Sequence, residues 1–129
     1  FSIYLIKVHQ VNSSISPYFI ILLLWYPCFE NLFSIIRKKI TKFSATNPDN
    51  SHLHQLFFQF ILKKYKVKNK LTANNLTSLI INTYHLLIFY AGFQSINLTN
   101  VQLYLLGINL TVYICLYIFL NKFNENLSK

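Results

Sequence analysis

The sequence predicts an all-α fold of polytopic membrane helices. The chain is 53% hydrophobic and only 12% charged, whereas soluble domains carry roughly one quarter charged residues. Its apolar residues are also gathered into runs long enough to cross a bilayer. Helices satisfy their backbone hydrogen bonds within one segment, which an open sheet in lipid does not. We therefore expect three complete spans, preceded by the end of another helix at residues 1–6.

The three spans are predicted at about residues 15–36, 76–93 and 101–120. Ser16 followed by Pro17 is a typical helix start, and residues 18–26 carry no charge. The third run is long enough for a hydrocarbon core of roughly 30 Å.

The segment between the first two spans, residues 37–75, is predicted to be a cytoplasmic loop. It carries nine of the 12 basic residues, whereas residues 94–100 carry none. Because basic loops stay in the cytoplasm, the long loop is expected inside and the short one outside. The lysines are more simply explained by this rule and by attraction to anionic lipid than by nucleic-acid binding.

The same loop is expected to contain an amphipathic helix at residues 53–65, followed by a polar linker at residues 72–75. Apolar residues recur there at helical spacing, and Asp49, Asn50 or Ser51 would cap the helix. Such a helix would lie along the membrane face with its apolar side down.

Candidate functional residues lie where this helix is expected to begin. His52 and His54 follow a turn at Pro48 and Asp49. Residues two apart on a helix point about 200° away from each other, so the two rings converge only if the turn has not yet become helical. Alternatively, one histidine caps the helix or meets lipid headgroups and the other faces solvent. Asp49 is the only nearby carboxylate, so no metal site is predicted.

Glu30 is a carboxylate inside the first predicted span, where ionisable residues are functional candidates by default. Alternatively, it lies near the cytoplasmic boundary, shielded by Arg37 and the following lysine pair. His85, in the second span, is more simply explained by a hydrogen bond to a neighbouring helix.

Residues 15–80 resemble the last cytoplasmic loop, and the helix before it, of the polyprenyl-phosphate N-acetylhexosamine-1-phosphate transferases (glycosyltransferase family 4). Family members show Pro, two residues and then Asp or Glu, with a basic pair after the span. Pro27, Glu30 and Arg37 with Lys38 match this pattern. The family's Pro-Asp turn and His-rich motif correspond to Pro48-Asp49 and to His52-Leu53-His54-Gln55, where many members have a further His in place of Gln55.

The resemblance implies the C-terminal portion of a multi-span enzyme in a bacterial cytoplasmic membrane. The family transfers a sugar 1-phosphate from a UDP-sugar to polyprenyl phosphate and uses Mg²⁺. Asp49, His52, His54 and, more weakly, Arg37 would contact the substrate. The catalytic and metal-binding Asp residues belong to earlier loops, and this chain has one Asp. We therefore expect it to be inactive without the N-terminal helices of the same enzyme. The alternative is a small three-span anchor or subunit without catalysis.

Overall fold

A computed structural model describes residues 2–12, 14–41 and 51–126 of the chain. Within these ranges the chain is helical and contains no strand, which confirms the all-α prediction. The five helices are α1 (Ser2–Val11), α2 (Pro17–Thr41), α3 (Leu53–Lys64), α4 (Lys70–Gln94) and α5 (Thr99–Asn126).

Three of these helices are long and apolar enough to cross a membrane, namely Pro17–Ile40 of α2, Lys70–Gln94 and Thr99–Asn126. Each contains most or all of one predicted span and extends beyond it. The polar linker expected at residues 72–75 is wrong, because these residues form the first turns of α4. The Asn69 side chain accepts a hydrogen bond from the Leu71 N–H at 2.9 Å, so the helix is capped well before its apolar run begins.

Helix α3 begins at Leu53, as predicted, and ends within one residue of the predicted end. Its buried residues are Leu53, Leu56 and Ile61, and it packs mainly against α4 and α5. Part of its apolar side therefore faces other helices of the protein. Its arrangement along a membrane face stays a prediction.

The core lies where α2, α3 and α5 meet. Tyr113 of α5 is 1% exposed and its ring contacts aromatic rings on α2 edge-on, including Trp25, Phe29 and Phe33. Edge-to-face contacts of this kind add to the gain from burial alone. The polar end of the Tyr113 side chain is thereby held deep between the helices.

Helices α4 and α5 form a hairpin that is closed by a buried amide. Gln102 is 0% exposed, and its Nε2 donates to the carbonyls of Gly92 at 2.7 Å and Ser95 at 2.8 Å. These carbonyls lie at the end of α4, where helix carbonyls lack partners within the helix. The side chain of Gln102 therefore adds hydrogen bonds to these carbonyls, which also accept from the N–H groups of Ser95 and Leu98.

Candidate functional site

The polar centre of the structure is Glu30, whose carboxylate is buried between three helices. Its Oε1 atom accepts a hydrogen bond from the Leu53 N–H and is also hydrogen-bonded to His52 Nδ1, both at 2.9 Å. Its Oε2 atom accepts from the Tyr113 hydroxyl at 2.8 Å. A buried carboxylate is tolerated only when it is hydrogen-bonded in this way. Glu30 therefore joins α2 to the start of α3 and to the middle of α5.

His52 is the N-cap of α3. Its backbone is extended, with φ −69° and ψ 148°, and its N–H donates to Gln55 Oε1 at 3.3 Å. The first N–H groups of a helix have no partner within the helix, and here Glu30 from α2 takes the N–H of Leu53. Gln55, whose role the sequence left open, forms part of this cap.

The rings of His52 and His54 lie side by side. Their centres are 5.9 Å apart and their planes differ by 15°. The opposed orientation expected of two helical residues does not apply, because His52 precedes the helix. His54, in the first turn, is exposed. The backbone at His52 has not yet become helical, which is the condition under which the sequence analysis allowed the two imidazoles to converge.

Arg37 holds the same segment from the other side. Its Nη1 atom donates to the Ser51 carbonyl at 3.0 Å and to the Tyr117 hydroxyl at 3.1 Å. Its guanidinium carbon also lies 5.5 Å from the centre of the Tyr117 ring, a distance at which a cation attracts an aromatic face. Arg37 is thus engaged with the residue that leads into α3.

Four of the five polar residues that the sequence singled out are therefore neighbours of the α3 start. They are Glu30, Arg37, His52 and His54; Asp49 lies outside the described residues. Tyr113 and Tyr117 were missed, because nothing in an apolar run of α5 marks a tyrosine as a partner of Glu30 or Arg37. A sequence signal did exist on α2, where Glu30 and Arg37 are seven residues apart and share one helix face.

No group of three or more His, Cys, Asp or Glu residues able to hold a metal ion occurs within the described ranges. The donors present around Glu30 are a histidine, a backbone amide and a tyrosine. The residues described here thus do not fit a Mg²⁺ site, which requires several oxygen ligands.

A polar cleft of about 200 Å³ opens beside His54. Its lining includes Asn74, Thr77, Ser78 and Asn82 of α4, together with Tyr26 of α2. Four-residue spacing puts Asn74, Ser78 and Asn82 on one face of α4. No lysine or arginine lines the cleft, so its chemistry suits an uncharged polar group. The sequence analysis did not identify this stripe.

Comparison of the chain with protein-family models, with curated proteins and with solved structures found no match. The functional argument therefore depends on the residues, their geometry and the motif resemblance.

Proposed function

We propose that this chain is the C-terminal portion of a membrane glycosyltransferase that moves a sugar 1-phosphate from a UDP-sugar to a polyprenyl phosphate. The remaining helices of the same enzyme would supply the catalytic carboxylates and hold Mg²⁺. The enzyme would work in a bacterial cytoplasmic membrane, with residues 37–75 facing the cytoplasm. Its product would serve the synthesis of cell-envelope polysaccharide or glycolipid.

The observation that carries the proposal is the pair of imidazoles at the N-terminus of α3. Glu30 takes the N–H of Leu53 at this helix N-terminus, so the imidazole nitrogens, and not the first backbone amide of α3, are the groups left to meet a phosphate. The two parallel imidazole rings provide nitrogens that donate to, or accept from, a bound ligand. Such an arrangement suits the diphosphate of a nucleotide-sugar, where the charge that develops during phosphoryl transfer must be stabilised.

Arg37 and the polar cleft would have supporting roles. Because the Arg37 guanidinium contacts the Ser51 carbonyl and the Tyr117 hydroxyl, we assign it to holding the loop rather than to direct contact with substrate. The cleft beside His54 lacks cations and is smaller than the roughly 300 Å³ at which sites for drug-sized ligands begin. It would accept an uncharged part of the donor, such as the sugar ring. Asp49 remains a candidate for substrate contact.

His52→Asn in the full-length protein tests the role of the histidines. Asn is a good N-cap, and its side-chain amide still offers a donor to Glu30, whereas the Nε2 atom of the imidazole is lost. We expect turnover to fall by about 10²–10³-fold, as for loss of one well-placed contact to a transition-state charge. The measurement is sugar-phosphate transfer in membranes, normalised to the amount of folded protein. His54→Ala should lower turnover as well.

Asn74→Ala and Asn75→Ala form a matched pair for the cleft. Both residues are exposed on α4, but only Asn74 lines the cleft. Asn74→Ala is expected to raise KM for the UDP-sugar by about tenfold, the equivalent of one lost hydrogen bond, and Asn75→Ala is expected to leave it unchanged. Neither variant should alter inhibition by UMP, which lacks the sugar.

Near-normal turnover in both His52→Asn and His54→Ala would contradict the proposal. The two histidines would then be structural, and a full-length protein without UDP-sugar-dependent transfer would favour the three-span anchor.

A further inference from the structure

Glu30 contacts His52 through one ring nitrogen only, Nδ1, and this contact determines which ring nitrogen is left for a ligand. Glu30 Oε1 already accepts the Leu53 N–H at 2.9 Å and lies 2.9 Å from His52 Nδ1. The Leu53 N–H and the Tyr113 hydroxyl both donate to this carboxyl group, so it acts as the acceptor for its neighbours, and we assign the hydrogen in the contact with His52 to Nδ1. The nitrogen that a histidine leaves for other partners is set by the bond that its first nitrogen makes.

The His52 ring therefore presents Nε2, and not Nδ1, to any ligand. When the ring is neutral, Nε2 is an acceptor, and when the ring is charged, Nε2 carries a proton and donates. The His52 side chain is 25% exposed, against 10% for that of Glu30. Ligand access to the pair is thus through the imidazole, whereas the carboxylate stays behind it.

Tyr113 fixes the carboxylate in turn. Its hydroxyl donates to the second oxygen of Glu30 at 2.8 Å, and the tyrosine is held by its almost complete burial. With one oxygen engaged by α5 and the other by the start of α3, the carboxylate cannot rotate without breaking a buried hydrogen bond. Leaving such a buried partner unsatisfied is unfavourable.

We propose that Glu30 is a positioning residue that acts through His52: held by Tyr113, it fixes Nδ1 as the protonated nitrogen and directs Nε2 toward the substrate. The identity of the substrate rests on the proposed function, whereas the orientation of the ring does not. A carboxylate that orients a histidine in this way resembles, in its physical effect, the outer carboxylates that orient metal-bound histidines, whose loss lowers activity by 10–100-fold.

The test compares Glu30→Gln with Glu30→Met in the full-length protein. Both side chains are close to glutamate in size, but only Gln keeps an oxygen that accepts from His52 Nδ1. The first readout needs no activity: ¹⁵N NMR of histidine-labelled protein, with the His52 signals assigned by their loss in His52→Asn. We expect the proton of the neutral ring on Nδ1 in the wild type and in Glu30→Gln, and a shift of the proton to Nε2 in Glu30→Met.

The second readout is transfer of the sugar phosphate. Glu30→Met should lower kcat by about 10–100-fold, Glu30→Gln should restore most of it, and adding Glu30→Met to His52→Asn should cost little more because both act on one imidazole. An unchanged tautomer in Glu30→Met would overturn the inference even if the enzyme is a transferase. A wild type with the Nδ1–H tautomer but without transferase activity would instead overturn the proposed function and leave the orientation of His52 intact.

Tyr113→Phe provides a second test, which does not depend on the folding of Glu30→Met. Phe retains the buried ring and removes only the hydroxyl that holds Glu30. We expect a mixture of both His52 tautomers and a kcat that falls while KM for the UDP-sugar is unchanged. A pure Nδ1–H tautomer in Tyr113→Phe, with unchanged kcat, would show that Tyr113 does not act through Glu30. It would overturn the inference that Tyr113 helps to orient His52.

Discussion

Replacing Gly92 by Ala tests the packing of the α2–α4 contact that closes the core beside the α4–α5 hairpin. A Cβ atom built on Gly92 lies 2.6 Å from Leu22 Cδ2, and also 3.4 Å from Gln102 Oε1 and from Phe19 Cε2. Leu22 is 0% exposed, so its side chain must yield within the packed interior and not toward solvent. We expect Gly92→Ala to destabilise the protein by overpacking.

The expected loss of stability in Gly92→Ala follows from a comparison with Gly107→Ala. Gly107 lies in α5, where an added Cβ meets nothing within 4 Å. Ala is favoured over Gly inside a helix by about 0.5–1 kcal/mol, and this gain applies to both positions. Overpacking of a close-packed interior costs about 1–3 kcal/mol and applies to Gly92 alone. The difference in the free energy of unfolding between the two variants should therefore be about 1–3 kcal/mol.

The assay is equilibrium unfolding of the full-length protein in mixed detergent micelles, titrated with denaturing detergent. Leu22→Val removes the clashing end of the side chain. The effect of Gly92→Ala should therefore be smaller in a Leu22→Val background than in the wild type, because contacting residues couple. Equal stabilities of Gly92→Ala and Gly107→Ala, within about 0.5 kcal/mol, would refute the packing argument. Additivity with Leu22→Val would refute the assignment of the clash to Leu22.

Three further outcomes are expected. Arg37→Lys removes the planar guanidinium, whose Nη1 atom donates to the Ser51 carbonyl and to the Tyr117 hydroxyl. Amide hydrogens at the start of α3 should then exchange about tenfold faster, the equivalent of about 1.4 kcal/mol. Unchanged exchange there would contradict the role of Arg37, and Lys39→Gln serves as an exposed control on the same helix. In a variant without the two native cysteines, Lys68→Cys should react with a membrane-impermeant thiol reagent only after cells are opened, whereas Asn97→Cys should react in intact cells; the reverse pattern would invert the topology. The chain expressed by itself should release no UMP from a UDP-sugar in the presence of polyprenyl phosphate and Mg²⁺, and detectable release would show that it holds its own catalytic carboxylates.

Local features of the fold were predictable because their causes are local. Long apolar runs predict α2, α4 and α5, and the spacing of Leu53, Leu56 and Ile61 predicts α3 almost to the residue. The start of α4 was misjudged for a local reason as well. Residues 72–75 are polar, but Asn69 caps the helix before them, and a polar sequence does not prevent a helix once its end is satisfied.

The site was only half predictable, because its partners are distant in sequence. Glu30 and His52 are 22 residues apart, and Glu30 and Tyr113 are 83 apart. No periodicity relates such positions, and the composition of α5 offers several tyrosines that are equally apolar in context.

The presence of Glu30 in an apolar helix nevertheless restricted which groups could lie beside it. A carboxylate inside an apolar helix requires donors, so the presence of Glu30 predicts that some N–H or O–H groups must reach it, without naming them. One set of candidate donors was the start of α3, since the first N–H groups of a helix lack partners. A residue that satisfies the start of α3, as Glu30 of α2 does, must point inward. We propose that the side chain that projects from that start, His52 through its Nε2 atom, is the one that meets a ligand.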